Sequence, residues 1–328
     1  MFSIQSYYRN DISILRNLGF QVKLSRNIFD YLMFWKYDIA FFYFYRYSAL
    51  AAVFAKLFHK KTIFTGGIDY LESSFATKRQ KRIQGIFFKI CNLFSDGNII
   101  VSTTDYNNIA HLYHGSAPDK CRMSFHVIDT AKFIYKGEPK QKIISTIAWM
   151  VNKDNVYRKG VDKTIMAFAK FIHLFPNYKL IIAGPSGDGS KEVLKLIEEL
   201  KMKEYIYYLG AISETEKIDL LKQSMIYSQL SIYEGFGIAA IEALAAGNVV
   251  VHSGNGGLKD AVSDCGIIVN INSIRSIVDG FIQAASYNDI QLISIREKGI
   301  RYVEDNFSYS KRLSDFSSIF KELEIETL

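Results

Sequence analysis

The chain has 328 residues, 49% hydrophobic and 22% charged, which excludes a disordered or low-complexity protein and leaves room for two ordinary domains. Its three cysteines, Cys91, Cys121 and Cys265, are far apart and form no CxxC pair, so neither a disulfide framework nor a zinc site is expected and a reducing cytosol suits them. The net charge of +7 is uneven: residues 1–140 hold 19 Lys/Arg against 10 Asp/Glu and the remainder 21 against 23, which points the first half toward an anionic membrane surface, a phosphate-bearing acceptor or a nucleic acid.

In chain order, the N-terminus MFSIQSYYRNDIS lacks the basic-then-apolar pattern of a secretory signal. A helix is expected over Asn10–Leu18, then strands at Phe20–Leu24 and Ile39–Phe44. Ile39–Phe58 approaches membrane-spanning length, but Arg46 near its middle favours a buried strand followed by a helix from about Ser48 to Phe58. Strands follow at Thr62–Thr65, Asn98–Ser102 and Arg122–His126, with a helix over Asp105–Tyr113. The densest cationic run, Lys78-Arg79-Gln80-Lys81-Arg82, feeds the apolar stretch from Ile83 to Ile90. Two readings fit it: an interfacial membrane helix, or a solvated helix start whose apolar face belongs to the core. Nucleic acid is not expected as a partner, because the run sits in no recognised binding module.

The polar stretch Lys136-Gly-Glu-Pro-Lys140 reads as an interdomain joint. Beyond it, strands are expected at Ile143–Ala148, Tyr178–Ala183, Ile206–Leu209, Ile226–Leu230, Val249–His252 and Gly266–Val269. Helices near Val161–Leu174, Ser190–Leu200, Glu214–Gln223 and Gly237–Ala246 separate them. Alternating strands and helices imply the α/β class, with parallel sheets covered on both faces. The domains expected are 1–138 and 139–305, with 306–328 a helix returning to the first. A cleft at the carboxyl ends of the strands is the default ligand site.

The most informative stretch runs from Ser231 to Gly247. Glu234 is followed by Gly235-Phe236-Gly237-Ile238 and, eight positions on, by Glu242 in an Ala/Ile/Leu helix. The glycines permit a turn close to a ligand, and the new helix directs its free N–H groups and positive dipole end at it, which suits a diphosphate. Glu242, about two turns along on roughly the same side, would face sugar hydroxyls. Gly-x-Gly turns before helices are common on their own, but a carboxylate on an apolar helix is costly without a partner.

Several motifs in order resemble the family 4 glycosyltransferases of GT-B fold, the group 1 transferases. Arg158-Lys159-Gly160 resembles their basic KG motif, Lys179 to Gly184 their strand-to-glycine turn, and Tyr208-Leu209-Gly210 their loop near the base. Ser231–Gly247 resembles their paired-glutamate motif, Gly254-Asn-Gly256-Gly257 the following glycine loop, and Glu304–Ser308 the closing segment. The likeness is strong over about 140–328 and weaker before it. It implies two Rossmann-like domains with parallel sheets facing a central cleft. It also implies a retaining, metal-independent hexosyltransferase that uses a nucleotide-sugar, UDP- or GDP-linked, as donor substrate and no cofactor. The acceptor implied is a glycan or lipid-linked glycan in surface polysaccharide synthesis. The location would be cytoplasmic, or peripheral on the inner face of an anionic membrane through the basic first domain.

By that resemblance Glu234 contacts the donor sugar, Glu242 the ribose, and Arg158 and Lys159 the developing charge of the leaving diphosphate. Gly184, Leu209, Gly210, Gly235, Phe236, Gly237, Ile238, Gly256 and Gly257 surround the donor. The sequence departs from the family in three places. The expected arginine after the first strand of the second domain is absent, with Arg158 or Lys153 as substitutes and a longer loop leading to Lys159. The first-domain histidine is replaced by Thr65-Gly-Gly-Ile-Asp69, which makes Asp69 a candidate sugar contact or an ordinary helix cap. The usual first strand is short, with only Phe2–Gln5 in its place. His126 and His252 are expected to be structural. A GT-B nucleotide-sugar epimerase and a non-catalytic partner protein are the alternative functions.

Overall fold

A computed structural model describes residues 6–71 and 76–325, so the proposed strand at Phe2–Gln5 lies outside the described residues. The chain forms two compact units: one runs to Ile128 and takes back the chain from Asn306, and the other is Asp129–Asp305.

The first unit opens with α1 (Ser6–Asn17), then alternates β1 (Ile39–Tyr43), α2 (Ser48–Leu57), β2 (Lys61–Thr65), α3 (Lys78–Phe94), β3 (Gly97–Ile100), α4 (Thr103–Leu112) and β4 (Cys121–Met123). Its four strands are all parallel, in the order β1-β2-β3-β4. Successive right-handed crossovers therefore lay α2, α3 and α4 on one face of the sheet. α3 starts where the cationic run suggests, because Thr77 and Gln80 form a capping box. The strand expected at Phe20–Leu24 does not form. The segment pairs with no strand among the described residues, and Phe20 and Val22 join the apolar cluster around Ile14, Ile63 and Phe316.

The second unit begins with the short α5 (Thr130–Phe133). Then come β5 (Gln141–Ile147), α6 (Lys153–Arg158), α7 (Val161–Phe171), β6 (Lys179–Ala183), α8 (Asp188–Glu199), β7 (Ile206–Tyr208) and α9 (Glu214–Gln223). β8 (Ser224–Gln229), α10 (Ile238–Ala245), β9 (Val249–His252), α11 (Leu258–Val262), β10 (Ile267–Ile268), α12 (Ile274–Ala285) and α13 (Asp289–Phe307) complete it. The parallel sheet has the order β10-β9-β8-β5-β6-β7. Strand order reverses between β5 and β8, which makes their carboxyl ends the crevice where open α/β sheets take ligands. The core is the aliphatic interior of these strands with Phe168, Phe171 and Phe281 of α7 and α12.

The break between units falls after Ile128, earlier than the joint expected at Lys136–Lys140. Residues 129–138 pack with the second unit. Phe133 is buried, Tyr135 N donates to Ala245 O at 2.9 Å, and Lys132 pairs with Glu214. The longer loop expected before Lys159 is partly helical, since Asn152 caps α6 by accepting from Asn155 N at 2.9 Å.

The last helix, α14 (Tyr309–Glu322), belongs to the first unit. Its Arg312 is fully buried and forks onto Asp11 of α1, with Nε–Oδ1 at 2.6 Å and Nη2–Oδ2 at 2.9 Å. Nη1 donates to Ser124 O and Phe125 O, both at 2.7 Å, and Tyr43 OH donates to Asp11 Oδ2 at 3.0 Å. A buried charge requires this degree of pairing.

Candidate active site

The second unit's site grows from the ends of β5 and β8. Beyond β5 the chain runs through α6, whose final turn carries Arg158 and ends on Lys159. Gly160 follows with φ +67°. A Cβ there would stand 2.1 Å from Leu230 O, so the chain passes β8 closely enough that only glycine fits. Ile232 N donates to Arg158 O at 2.8 Å, tying the two crossovers together.

That close approach brings Lys159 to Glu234. Lys159 Nζ lies 2.5 Å from Glu234 Oε1. The same oxygen accepts from Ser231 Oγ at 2.7 Å and Gln229 Nε2 at 2.8 Å. Gln229 Oε1 in turn accepts from Tyr227 OH at 3.0 Å, so a polar chain runs from the interior of β8 to the ammonium. Glu234 is 8% exposed. Burial pushes its carboxyl up, but the Lys159 charge and hydrogen bond, the Ser231 hydrogen bond and the Arg158 charge together hold it below the usual carboxylate range. Lys153 is engaged elsewhere, 3.0 Å from Glu192 of α8; of the two substitute cations, Arg158 is the one whose field acts on Glu234.

The turn after Glu234 is fixed by backbone packing. Glu234 and Gly256 form a parallel bridge, and Gly257 N donates to Glu234 O at 2.7 Å. A Cβ on Gly256 would meet Glu234 O at 2.2 Å, and one on Gly257 would meet Gly235 O at 2.4 Å. The glycine loop thus holds the glutamate turn in place. Phe236 is buried and Gly235 and Ile238 half-buried. Gly237, φ +109°, starts α10, whose first N–H groups have no partner within the helix.

Glu242 has a different environment from Glu234. It is 3% exposed and pairs with Lys217 Nζ of α9 at 2.6 Å. Burial, with the nearby Glu214 charge, holds its carboxyl above the ordinary value, and Lys217 offsets only part of this. Lys217 also lies over the Phe133 ring, 5.1 Å from its centre. The expectation that Glu242 faces sugar hydroxyls did not foresee this cation.

Gly184 and Gly210 come together at the carboxyl ends of β6 and β7, where Gly184 N donates to Gly210 O at 2.8 Å and Tyr208 OH to Gly184 O at 2.8 Å. Leu209, between them, is 51% exposed. Asp69 is carried by the first unit, after β2, half-buried beside Gly67. Both histidines are buried. Burial and then the Arg312 charge push His126 down to about 3, and burial alone takes His252 to about 4. Among the described residues no group of three or more His, Cys, Asp or Glu is arranged to hold a metal ion.

Sequence reasoning missed Gln229, Ser231, Tyr227 and Lys217. The first three carry a readable signal, since polar side chains within an apolar strand end need partners. Lys217 carries none, because one lysine on a charged helix looks like any solvated cation.

Residues 142–299 match the family model described as glycosyl transferases group 1. A phosphatidylinositol N-acetylglucosaminyltransferase component from Arabidopsis thaliana is 29% identical over 171 residues, 52% of this chain and 37% of that protein. The GDP-mannose:cellobiosyl-diphosphopolyprenol alpha-mannosyltransferase of Xanthomonas oryzae is 27% identical over 192 residues, 57% of this chain and 49% of that protein. The chain thus spans less than half the length of these curated relatives. Among solved structures, Anabaena HepE in complex with UDP and glucose superposes with a TM-score of 0.75 at 14% identity, over 90% of this chain and 81% of that one. A Rickettsia africae glycosyltransferase gives 0.73 at 20% identity, over 93% and 84%.

Proposed function

Residues 142–299 belong to the glycosyl transferases group 1 family and the chain has the GT-B fold, and from this premise we propose that the protein is a retaining, metal-independent glycosyltransferase. The observation that carries the reading is the buried Lys159–Glu234 pair at the β5/β8 switch point. A donor nucleotide diphosphate lies at the start of α10, and the sugar lies against Glu234. On one and the same face of the sugar, the bond between the anomeric carbon and the diphosphate oxygen breaks as one to the acceptor oxygen forms, and the acceptor hydroxyl's proton passes to the departing phosphate oxygen, so the anomeric configuration is kept. Negative charge then grows on the departing phosphate, where Lys159, Arg158 and the α10 N-terminus stabilise it. Glu234 orients Lys159 and accepts from a sugar hydroxyl. Glu242 is the ribose contact, released from or shared with Lys217. Gly184, Leu209, Gly210, Gly256 and Gly257 border the base and phosphates, and Asp69 serves the acceptor side.

The donor is a UDP- or GDP-sugar. The acceptor is a lipid-linked glycan, a reading supported by the names of the two curated relatives, one of which refers to phosphatidylinositol and the other to a diphosphopolyprenol. The test is a thermal-shift screen with UDP-, GDP- and ADP-sugars, since specific binding to the native state raises the midpoint, followed by turnover of the stabilising donor. A shift by one nucleotide class that Lys159→Met abolishes is expected. No shift by any nucleotide-sugar, or unchanged turnover in both Lys159→Met and Glu234→Gln, defeats the assignment. Epimerised donor in the absence of acceptor marks the epimerase alternative, and binding without transfer or hydrolysis marks the non-catalytic partner protein.

A further inference from the structure

Two neighbouring helices of the first unit carry large aliphatic side chains on their outward faces. α2 buries Ala49, Ala51, Ala52 and Ala55 against the core. It turns Leu50, Phe54 and Leu57 outward, Leu50 57% and Leu57 65% exposed. With Tyr47, also exposed, these stand at helical spacing on one stripe. α3 buries Phe88 and Cys91 together with the polar Gln84 and Asn92, and leaves Ile83, Ile86, Ile90 and Leu93 exposed. Those four also recur at three- and four-residue spacing, so they form one outward stripe.

The two stripes lie on the same side of the sheet, as successive crossovers require. The two helix segments touch: Tyr47 meets Phe87 at 6.0 Å between ring centres, and Gln84 Nε2 donates to Tyr45 O at 3.1 Å. Together they make an apolar face wider than the single exposed residues usual on a soluble protein.

The charge around this face identifies its occupant. α2 and α3 together carry six Lys/Arg and no Asp or Glu; one of the six, Lys56, pairs with Asp96 at 2.6 Å. Four of the six crowd the first turns of α3, at the positive end of the helix dipole, with no acid there to offset them. Helix stability does not explain that placement. Arg79 and Arg82 are exposed and lie on the side of α3 that carries the isoleucine stripe. An apolar face bordered by cations that have no acidic partner among the described residues matches an anionic lipid surface, with side chains entering the acyl boundary and cations at the headgroups.

We propose that the α2/α3 face of the first unit docks on an anionic lipid bilayer. The proposal rests on the lipid-linked acceptor reading for its purpose, but its test does not use the transfer reaction. No helix among the described residues is long and apolar enough to span, so the contact is to the surface. Of the two readings of the cationic run, this adopts the interfacial one. It also adds α2, which the sequence pattern reads only as a helix following a buried strand.

The full chain is sedimented with vesicles of phosphatidylcholine alone and of phosphatidylcholine with phosphatidylglycerol, at low and raised salt. Wild type is expected to bind the anionic vesicles, and more weakly as salt rises. Arg79→Gln/Arg82→Gln should weaken binding about 25-fold, at about fivefold per cation. Ile86→Ser/Leu93→Ser should weaken it roughly 100-fold, at about tenfold per buried side chain. Both variants should keep the wild-type melting midpoint and nucleotide response, because the substituted side chains are exposed. Failure of wild type to bind anionic vesicles, or equal binding by all three proteins, overturns the proposal. So does a concentration-dependent dimer that Ile86→Ser/Leu93→Ser dissociates in the absence of vesicle binding, or tighter binding to single-stranded RNA than to vesicles. If vesicle binding fails while a nucleotide-sugar still shifts the midpoint, the donor reading stands and only the docking falls.

Discussion

Replacing Lys159 by Met removes the cation that holds Glu234 ionised. At a charge separation of about 3.5 Å and an effective dielectric near 20, the pair attracts by roughly 4–5 kcal/mol before desolvation. Stripping one partner from a buried pair typically costs about 3–5 kcal/mol. The loss should depend on pH. In the wild type the folded carboxyl lies below its ordinary value, so its contribution is present above the unfolded pKa of about 4.3 and fades as pH falls through the lower folded value. Without Lys159, burial dominates and the folded value rises above the unfolded one. Stability is then greatest below the unfolded pKa and is lost as pH rises through the folded value. The deficit of Lys159→Met against wild type is therefore expected to be several kcal/mol at pH 8 and much smaller near pH 5. Urea unfolding at the two pH values measures it, with Glu234→Gln and the double variant completing the cycle. The double variant should recover most of the loss, because Ser231 and Gln229 can bond a neutral amide. Turnover in Lys159→Met should drop roughly 100- to 1,000-fold. A deficit equal at pH 5 and pH 8, or a double variant as unstable as Lys159→Met, would refute the electrostatic account.

Lys217→Met leaves Glu242 buried without its 2.6 Å partner and should cost about 3–5 kcal/mol at pH 8. Adding Glu242→Gln should restore more than half, and a double variant no better than the single would remove the pair as the cause. Arg312→Met should cost a similar amount, about 3–5 kcal/mol, and speed hydrogen exchange in α14. Unchanged exchange there would show that apolar packing alone holds the helix. Among the described residues His252 has no hydrogen-bond partner for either ring nitrogen, and burial takes its folded value down to about 4. Because the unfolded imidazole takes up a proton near 6.5 and the folded one does not, stability should fall as pH drops from about 6.5 to 4. By pH 5 this amounts to about 2 kcal/mol. His252→Leu should be less acid-sensitive by that amount, and identical pH slopes would contradict it.

The alternation of apolar strands with amphipathic helices was legible because periodicity is a local property of the chain. So were the glycine turns, whose residue type follows from backbone geometry. Lys159-Gly160 and Glu234 through Gly237 could be picked out as candidates because a charged side chain beside glycines in an apolar setting is locally conspicuous. At Phe20–Leu24, which pairs with no strand among the described residues, the same reasoning failed. A ladder needs a neighbour, and one segment does not announce whether it has one.

Partnerships are what only the tertiary structure decided. Lys159 and Glu234 are 75 positions apart in the chain, and Arg312 and Asp11 are 301 apart. No local pattern encodes either pairing. The cation on Glu242 comes from a helix with ordinary surface composition. The outward face of α2 was hidden too, and for α3 the sequence left an interfacial and a core-packed reading open. Composition tells that a helix is apolar, but only packing tells which side the sheet accepts, and here it accepted the alanines. The sequence alone determined the class of the fold and the chemistry of the individual groups. Three-dimensional packing decided which groups share a charge and which apolar surface remains for another partner, because both depend on distances between residues remote in the chain.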